Sequence, residues 1–162
     1  MSANFENKKL VVEEIKNHAK NAKAIVLVDY RGLTVEQVTE LRKAYREAGA
    51  VYKVYKNRLM KRAFDELGIK FNDADLEGTT AVAFSSTDEI VPAKIAVDGA
   101  NKYKVLKVKA GYIDGVYQNA AGVEAISKIP SKEVLVAQLL GLLTSPMRSM
   151  AVAVSEVAKK RA

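Results

Sequence analysis

Residues 24–64 read AIVLVDYRGLTVEQVTELRKAYREAGAVYKVYKNRLMKRAF, and their changes of period decide the fold class. AIVLVDY, 24–30, is a short apolar run rich in β-branched residues, which predicts a buried strand. RGL follows, then TVEQ, in which Thr34 can cap a helix and Gln37 can reach back to it, a capping box. Val35, Val38, Leu41, Tyr45 and Ala48 recur on one helical face, and Gly49 suits the stop. AVYKVY, 50–55, alternates with period two and predicts a second strand. Asn57 is a good N-cap for a helix over 58–67, with Leu59, Met60, Ala63, Phe64 and Leu67 on its apolar side and Arg58, Lys61, Arg62 and Asp65 opposite. Gly68 ends it.

The same reading extends in both directions. Residues 5–22 carry Phe5, Val12, Ile15, Ala19 and Ala22 at helical spacing, an amphipathic helix. TTAVAF, 79–84, predicts a third strand. SSTDE supplies a second capping box, Ser86 with Glu89, before a helix to about 100 in which Pro92 is tolerated near the first turn. NKYKVLKVKAGYIDGVY, 101–117, reads as a hairpin turning at Asp114-Gly115, and a short helix follows over about 119–127. The order α β α β α β α β β α indicates an α/β (α+β) fold, a compact mixed-sheet domain with packed helices over 1–127. A ferredoxin-like arrangement is compatible with this order and not required by it. KIPSKE, 128–133, marks a hinge at 128–132, where Pro130 breaks the preceding helix and Ser131 can cap the next one.

The remainder, 133–162, differs in kind. Between Val134 and Ala158 only Arg148 and Glu156 are charged, and apolar residues lie nearly all round the predicted helix, which therefore needs a covering partner. Gly141, Thr144, Ser145, Pro146, Arg148 and Ser149 interrupt it as a membrane span, and its polar face is thin for a membrane-surface helix. Ser145 can cap and Pro146 can open a new first turn, dividing the segment into apolar pieces of about 133–143 and 147–158, each long enough for one groove of a helical partner. A helix folded back on the domain's own sheet is the alternative.

Composition bounds the function. The 162 residues include 26 Lys and Arg against 19 Asp and Glu, a net charge of +7, and no cysteine. Disulfides and thiolate metal sites are excluded, and a reducing compartment fits. MSANFENKK lacks the apolar core of a signal peptide, which suggests a cytosolic protein. The positive charge favours a polyanionic partner and is concentrated locally. Residues 51–62 hold five basic side chains and residues 101–110 hold four, each stretch without an acid.

Two loops, RGLT at 31–34 and KNR at 56–58, each follow a strand and open a helix, and in consecutive strand–helix–strand units such loops tend to share one end of the sheet. Free backbone N–H groups at two helix N-termini, with Arg31, Lys56 and Arg58 beside them and Gly32 allowing close approach, make an edge suited to phosphates and so to folded RNA. The plainer reading stays open: Tyr52 and Tyr55 as strand residues of the core, the lysines as solvated charges. Lys102, Lys104, Lys107 and Lys109 are equally well read as protection of an edge strand. Enzyme signatures are missing. His18 is the only histidine, DADLE at 73–77 reads as a loop, and there is no phosphate-binding glycine loop, zinc pair or nucleophile elbow. No catalytic residue, metal or cofactor is expected.

VDYRGLTVEQVTELRKAYREAG followed by VYKVYKNRLMKRAF resembles the family of bacterial large-subunit ribosomal protein ten, the stalk-base protein. RGLT, LRK and KN-x-L-x-x-R-A occur in that order and spacing, and the apolar run with its SPMRSM break extends the resemblance over essentially the whole chain. The resemblance implies a non-enzymatic protein. Its N-terminal domain binds large-subunit ribosomal RNA in the GTPase-associated region, next to protein eleven, and its C-terminal helix carries dimers of the acidic stalk protein seven/twelve that recruit translational GTPase factors. It also implies, less directly, repression of its own messenger. Carried onto this chain, the RNA-binding residues are Arg31, Gly32, Lys56, Asn57, Arg58 and Arg62, with Lys53 and Arg42 as weaker members. The docking residues are Leu135, Leu139, Leu140, Leu142 and Leu143, then Met147, Met150, Val154 and Val157. The single Ser-Pro break suggests two dimers. A ribosome-assembly factor that shares the RNA-binding domain is the alternative, and a small α/β enzyme is a third reading.

Overall fold

In the computed structural model, residues 3–69, 71–86, 88–130 and 132–161 are described. Ser131, the expected cap, and the side chain of Phe5 lie outside them. The chain divides into two compact units, Met1–Ile129 and Pro130–Ala162.

The first unit is organised on β1 (Ala24–Asp29), whose first five residues are buried. A strand buried on both faces must be central and covered from both sides, and this one is. The sheet order is β2-β3-β1-β4-β5, with β2 at Ala50–Val54, β3 at Ala81–Ser85, β4 at Lys107–Ile113 and β5 at Val116–Asn119, and every neighbouring pair is antiparallel. β1 and β2 both run opposite to β3, so they point the same way and β1–α2–β2 is a split crossover with β3 between its strands, the ferredoxin-like arrangement.

Alternation along β1 sends side chains to two cores. Val26 and Val28 join Leu41 and Tyr45 of α2 (Val35–Glu47) and Ala93 and Ala96 of α4 (Val91–Tyr103). Ile25 and Leu27 join Ile15 and Ala19 of α1 (Ala3–Asn21) and Met60, Ala63 and Phe64 of α3 (Asn57–Leu67). Each large side chain so buried stabilises the fold by about 1.5–3 kcal/mol. α5 (Ala120–Ser127) is capped by Asn119, which accepts from the Gly122 N–H at 2.9 Å. Asp114 (φ 50°) and Gly115 (φ 79°) make the expected β4–β5 turn, both left-handed as a two-residue hairpin demands.

Several local expectations need correction. α2 has the Thr34–Gln37 capping box, but α4 does not use Ser86 and Glu89. It starts at Val91 behind Ile90, with no side-chain cap, because Pro92 supplies a preset first turn and Ser85 instead accepts from the Asp88 N–H. α4 also runs on to Tyr103, so Lys102 is helical and Lys104 is the left-handed C-cap at φ 53°. Neither stands on a strand. β4 is an inner strand beside β1, so protecting a sheet edge is not what Lys107 and Lys109 do; β2 and β5 are the edges.

Candidate nucleic-acid interface and apolar helix

Because β1 and β2 are parallel in direction, the loops that follow them leave the same end of the sheet. At the second, the N-cap is Lys56 and not Asn57, and no side chain caps the helix. Asn57 is the first helical residue, and its amide donates to the Gly78 carbonyl at 2.7 Å. A long-range acceptor has taken the side chain that a local cap needs. α3 therefore begins without a capping oxygen and without an acid in its first turn, which leaves its positive dipole end uncompensated. A cleft of about 550 Å³ opens there, lined by Lys8, Lys56, Asn57, Arg58, Leu59 and Arg62. Four of these are cations and none is acidic, among the described residues. Lys8 comes from α1 and is not among the residues expected from sequence. Its partners are brought to it by α1–α3 packing, which joins residues some fifty positions apart and leaves no local signature.

The first loop is less open than expected. The Arg31 N–H donates to Asp29 Oδ1 at 3.1 Å, the Leu33 N–H to the Tyr30 carbonyl at 3.3 Å and the Thr34 N–H to Gln37 Oε1 at 3.0 Å. The capping box takes donors that an anion could otherwise use. Gly32 is required by the chain itself. Its φ is +89°, and a Cβ there would lie 2.6 Å from Val105 Cγ1. Close approach to Val105, and not only to a ligand, explains this glycine. The Arg31 side chain remains exposed.

The weaker candidates lie elsewhere. Lys53, on edge strand β2, is ion-paired with Glu14 of α1, which also accepts from Tyr55 Oη at 3.1 Å. The Lys53 hydrogen bond, opposed by burial and helped by Tyr55, holds the Glu14 carboxyl below its ordinary range. Arg42 is exposed on α2, on the opposite face of the sheet from α3 and its arginines. Lys102 is engaged with Glu40 at 2.7 Å, and Tyr103 donates to the same carboxylate at 2.6 Å. His18 stacks on Phe84 with ring centroids 5.8 Å apart. The structure thus gathers Lys56, Asn57, Arg58 and Arg62 with Lys8, holds Arg31 and Gly32 at the same sheet end, and separates Arg42. Among the described residues no group of three or more His, Cys, Asp or Glu could hold a metal.

The second unit contains α6 (Lys132–Arg161), one helix that continues through Pro146. The expected division at Ser145-Pro146 does not occur. The proline removes one N–H, but intrahelical bonding on both sides carries the helix past it. Thr144 Oγ1 bonds back to the carbonyls of Leu140 (3.2 Å) and Gly141 (3.1 Å), a contact that favours local bending. Continuity preserves helical phase. At 3.6 residues per turn, Leu135, Leu139, Leu140, Leu142, Leu143, Met147, Met150, Val154 and Val157 fall within an arc of roughly 160°, while Gln138, Ser145, Arg148, Ser149, Ser155 and Glu156 fall on the other side. The leucines and methionines form a stripe and do not encircle the helix; Val134 and Val152 lie outside it. Every described side chain of α6 is exposed, Leu142 at 71% and Met147 at 75%. By length and composition alone Glu133–Lys160 could cross a membrane, but Gln138, Ser145, Arg148, Ser149, Ser155 and Glu156 stand opposite the stripe.

Comparison with known proteins gives two family matches. Residues 3–101 match Ribosomal protein L10, and residues 129–162 match the Ribosomal protein uL10 C-terminal region. The chain is similar to the large ribosomal subunit protein uL10 of Bacillus licheniformis, 42% identical over 99% of this chain and 97% of that one. It is also similar to its counterpart in Staphylococcus carnosus, 44% identical over the same shares, and in Clostridioides difficile, 45% identical over 96% and 94%.

Proposed function

The chain belongs to the ribosomal protein L10 family and is a large-subunit ribosomal protein, and from that premise we propose that it forms the base of the subunit's stalk in the bacterial cytoplasm. In this reading residues 1–127 grip ribosomal RNA of the GTPase-associated region, beside protein eleven. Arg31, Lys56, Arg58 and Arg62 meet phosphates, Lys8 joins them, and Gly32 and Asn57 shape the backbone around them. Lys53 and Arg42 contribute at the margin. Residues 128–132 act as a hinge. The helix over 133–162 docks dimers of the acidic stalk protein seven/twelve, and those dimers recruit translational GTPase factors. The protein is structural and performs no catalysis.

The observation that carries this reading is the exposed stripe of α6. Exposed leucines and methionines in one arc are stable in water only when a partner covers them, and an apolar stripe about 33 Å long, at 1.5 Å per residue from Leu135 to Val157, suits helices laid side by side in a groove. Pro146, the one proline in that length, separates Leu135–Leu143 from Met147–Val157 along the chain, which supports two docked dimers. An assembly factor that only bound RNA would have no use for the stripe.

Native mass spectrometry of the full chain purified from its own cells tests this, beside the full-length double variant Leu139→Asp, Met150→Asp. Four copies of one small acidic protein on the natural chain and none on the variant are expected. Six copies would correct the number of dimers. A natural chain that emerges bare would remove the docking function and favour the assembly-factor reading.

A further inference from the structure

The two basic loops are held apart by β3, which stands between β1 and β2. β3 runs against both, so its lead-in, Gly78 to Thr80, enters the sheet where the other two strands leave. That lead-in is bonded to both loops. The Asn57 amide donates to the Gly78 carbonyl at 2.7 Å. The Thr79 hydroxyl donates to Asp29 Oδ1, the same oxygen that accepts the Arg31 N–H at 3.1 Å.

A third strand completes the connection. Ala110 pairs with Leu27 and Val108 with Val28, so Lys109 is the extra residue of a bulge in β4. Bulges re-aim side chains, and this one turns Lys109 toward the lead-in. Its Nζ donates to the Glu77 carbonyl at 2.5 Å, the Thr79 carbonyl at 3.0 Å and the Thr80 hydroxyl at 2.9 Å. An ammonium with three protein acceptors has no donor left for a phosphate.

We propose that Asp29, Thr79 and Lys109 are positioning residues, a hydrogen-bonded brace that runs through the β3 lead-in and holds the Arg31 loop and the Lys56–Arg58 loop at one fixed spacing for RNA. The inference rests on the RNA-binding reading of those loops and adds how their geometry is set. Cations that are already in place lose less entropy when a rigid, folded RNA is bound. The brace thus acts on affinity without supplying a phosphate contact of its own.

That difference is measurable. Binding of the full chain to a transcript of the GTPase-associated region of large-subunit ribosomal RNA is followed by fluorescence anisotropy over a potassium chloride series. Arg31→Ala removes a phosphate contact and lowers the log–log salt slope by about 0.7–0.9. Thr79→Val weakens binding about tenfold at every salt concentration with the slope unchanged, as loss of a charge-assisted hydrogen bond from a preorganised site should. Thr79→Ser restores the affinity, and the effect of Thr79→Val shrinks when Arg31→Ala is already present. Lys109→Met repeats the pattern, an affinity loss without a slope change despite the loss of a cation.

Amide hydrogen exchange on the free protein gives an arm that needs no RNA. Thr79→Val should speed exchange at Arg31 at least about fivefold through lost local order, and Lys109→Met supplies the same reading if the first variant does not fold. Unchanged exchange and wild-type affinity in either folded variant overturns the brace, and so does a slope that falls as in Arg31→Ala. A natural chain that binds the transcript without salt dependence overturns the RNA-binding reading instead, while the exchange result still decides the brace.

Discussion

Gly32→Ala separates two costs that glycine avoids. Gly32 has φ +89°, and a Cβ on it would sit 2.6 Å from Val105 Cγ1. Placing an L-residue in the left-handed region costs about 1–2 kcal/mol. Forcing a carbon that far inside the ordinary contact distance adds about 1–3 kcal/mol of overpacking. The expected loss is about 3 kcal/mol. Gly68, with φ +73° and nothing within 4 Å of its notional Cβ, is the internal control, and Gly68→Ala should lose only about 1 kcal/mol. Urea unfolding followed by tyrosine fluorescence measures both, since the chain has 7 Tyr and no Trp. Val105 is 43% exposed, so Val105→Ala is mild by itself, and adding it to Gly32→Ala should recover the steric part. Equal losses for Gly32→Ala and Gly68→Ala, or no recovery in the double variant, would refute the idea that packing against Val105 dictates this glycine.

Tyr52 Oη is buried without a hydrogen-bond partner among the described residues, so Tyr52→Phe should stabilise the protein by about 0.5–1 kcal/mol. Tyr45→Phe, which loses a bond to the Pro92 carbonyl, should destabilise it by about as much; urea midpoints report both. Glu14 is held below its ordinary value of 4.5, chiefly by the Lys53 hydrogen bond. A depressed carboxylate contributes stability above its unfolded pKa and loses it as pH falls through the folded one. The melting temperature should therefore fall more steeply below pH 4.5 in the natural chain than in Glu14→Gln, and parallel curves would show that the Glu14–Lys53 pair contributes nothing. Pro146→Ala should restore a missing helical bond worth up to about 3 kcal/mol locally. Slower amide exchange around residues 146–150 of α6 is the expected sign.

Much of this molecule is written locally. The apolar run at 24–28 was legible as a buried strand, because it is short, rich in β-branched residues and followed closely by Gly32. Asp114-Gly115 was legible as a hairpin turn, because Asp and Gly are residue types that accept the positive φ both positions take. The Thr34–Gln37 box and Gly68 stop were legible for the same reason, being contacts within one turn. The exposed stripe of α6 was legible as a need for a partner, although dividing the helix at Pro146 hides its phase. A proline is a strong local signal, and thirty residues of hydrogen bonding outweighed it.

What only the tertiary structure decided are the contacts that local pattern cannot hold. Asn57 has the chemistry of a cap, yet its amide goes to Gly78, twenty-one residues away, once β3 enters between β1 and β2. Lys109 reads as a surface charge, yet a bulge turns it inward to three acceptors. Lys8 and Arg58 share a cleft because two amphipathic helices pack on one side of the sheet. Arg42 and Arg62 end on opposite sides of it, because alternation along β1 sends their helices to different cores. The basic residue types were determined by the sequence itself. Which of them stand together was determined by strand order, since charge is a local property and proximity across a sheet is not.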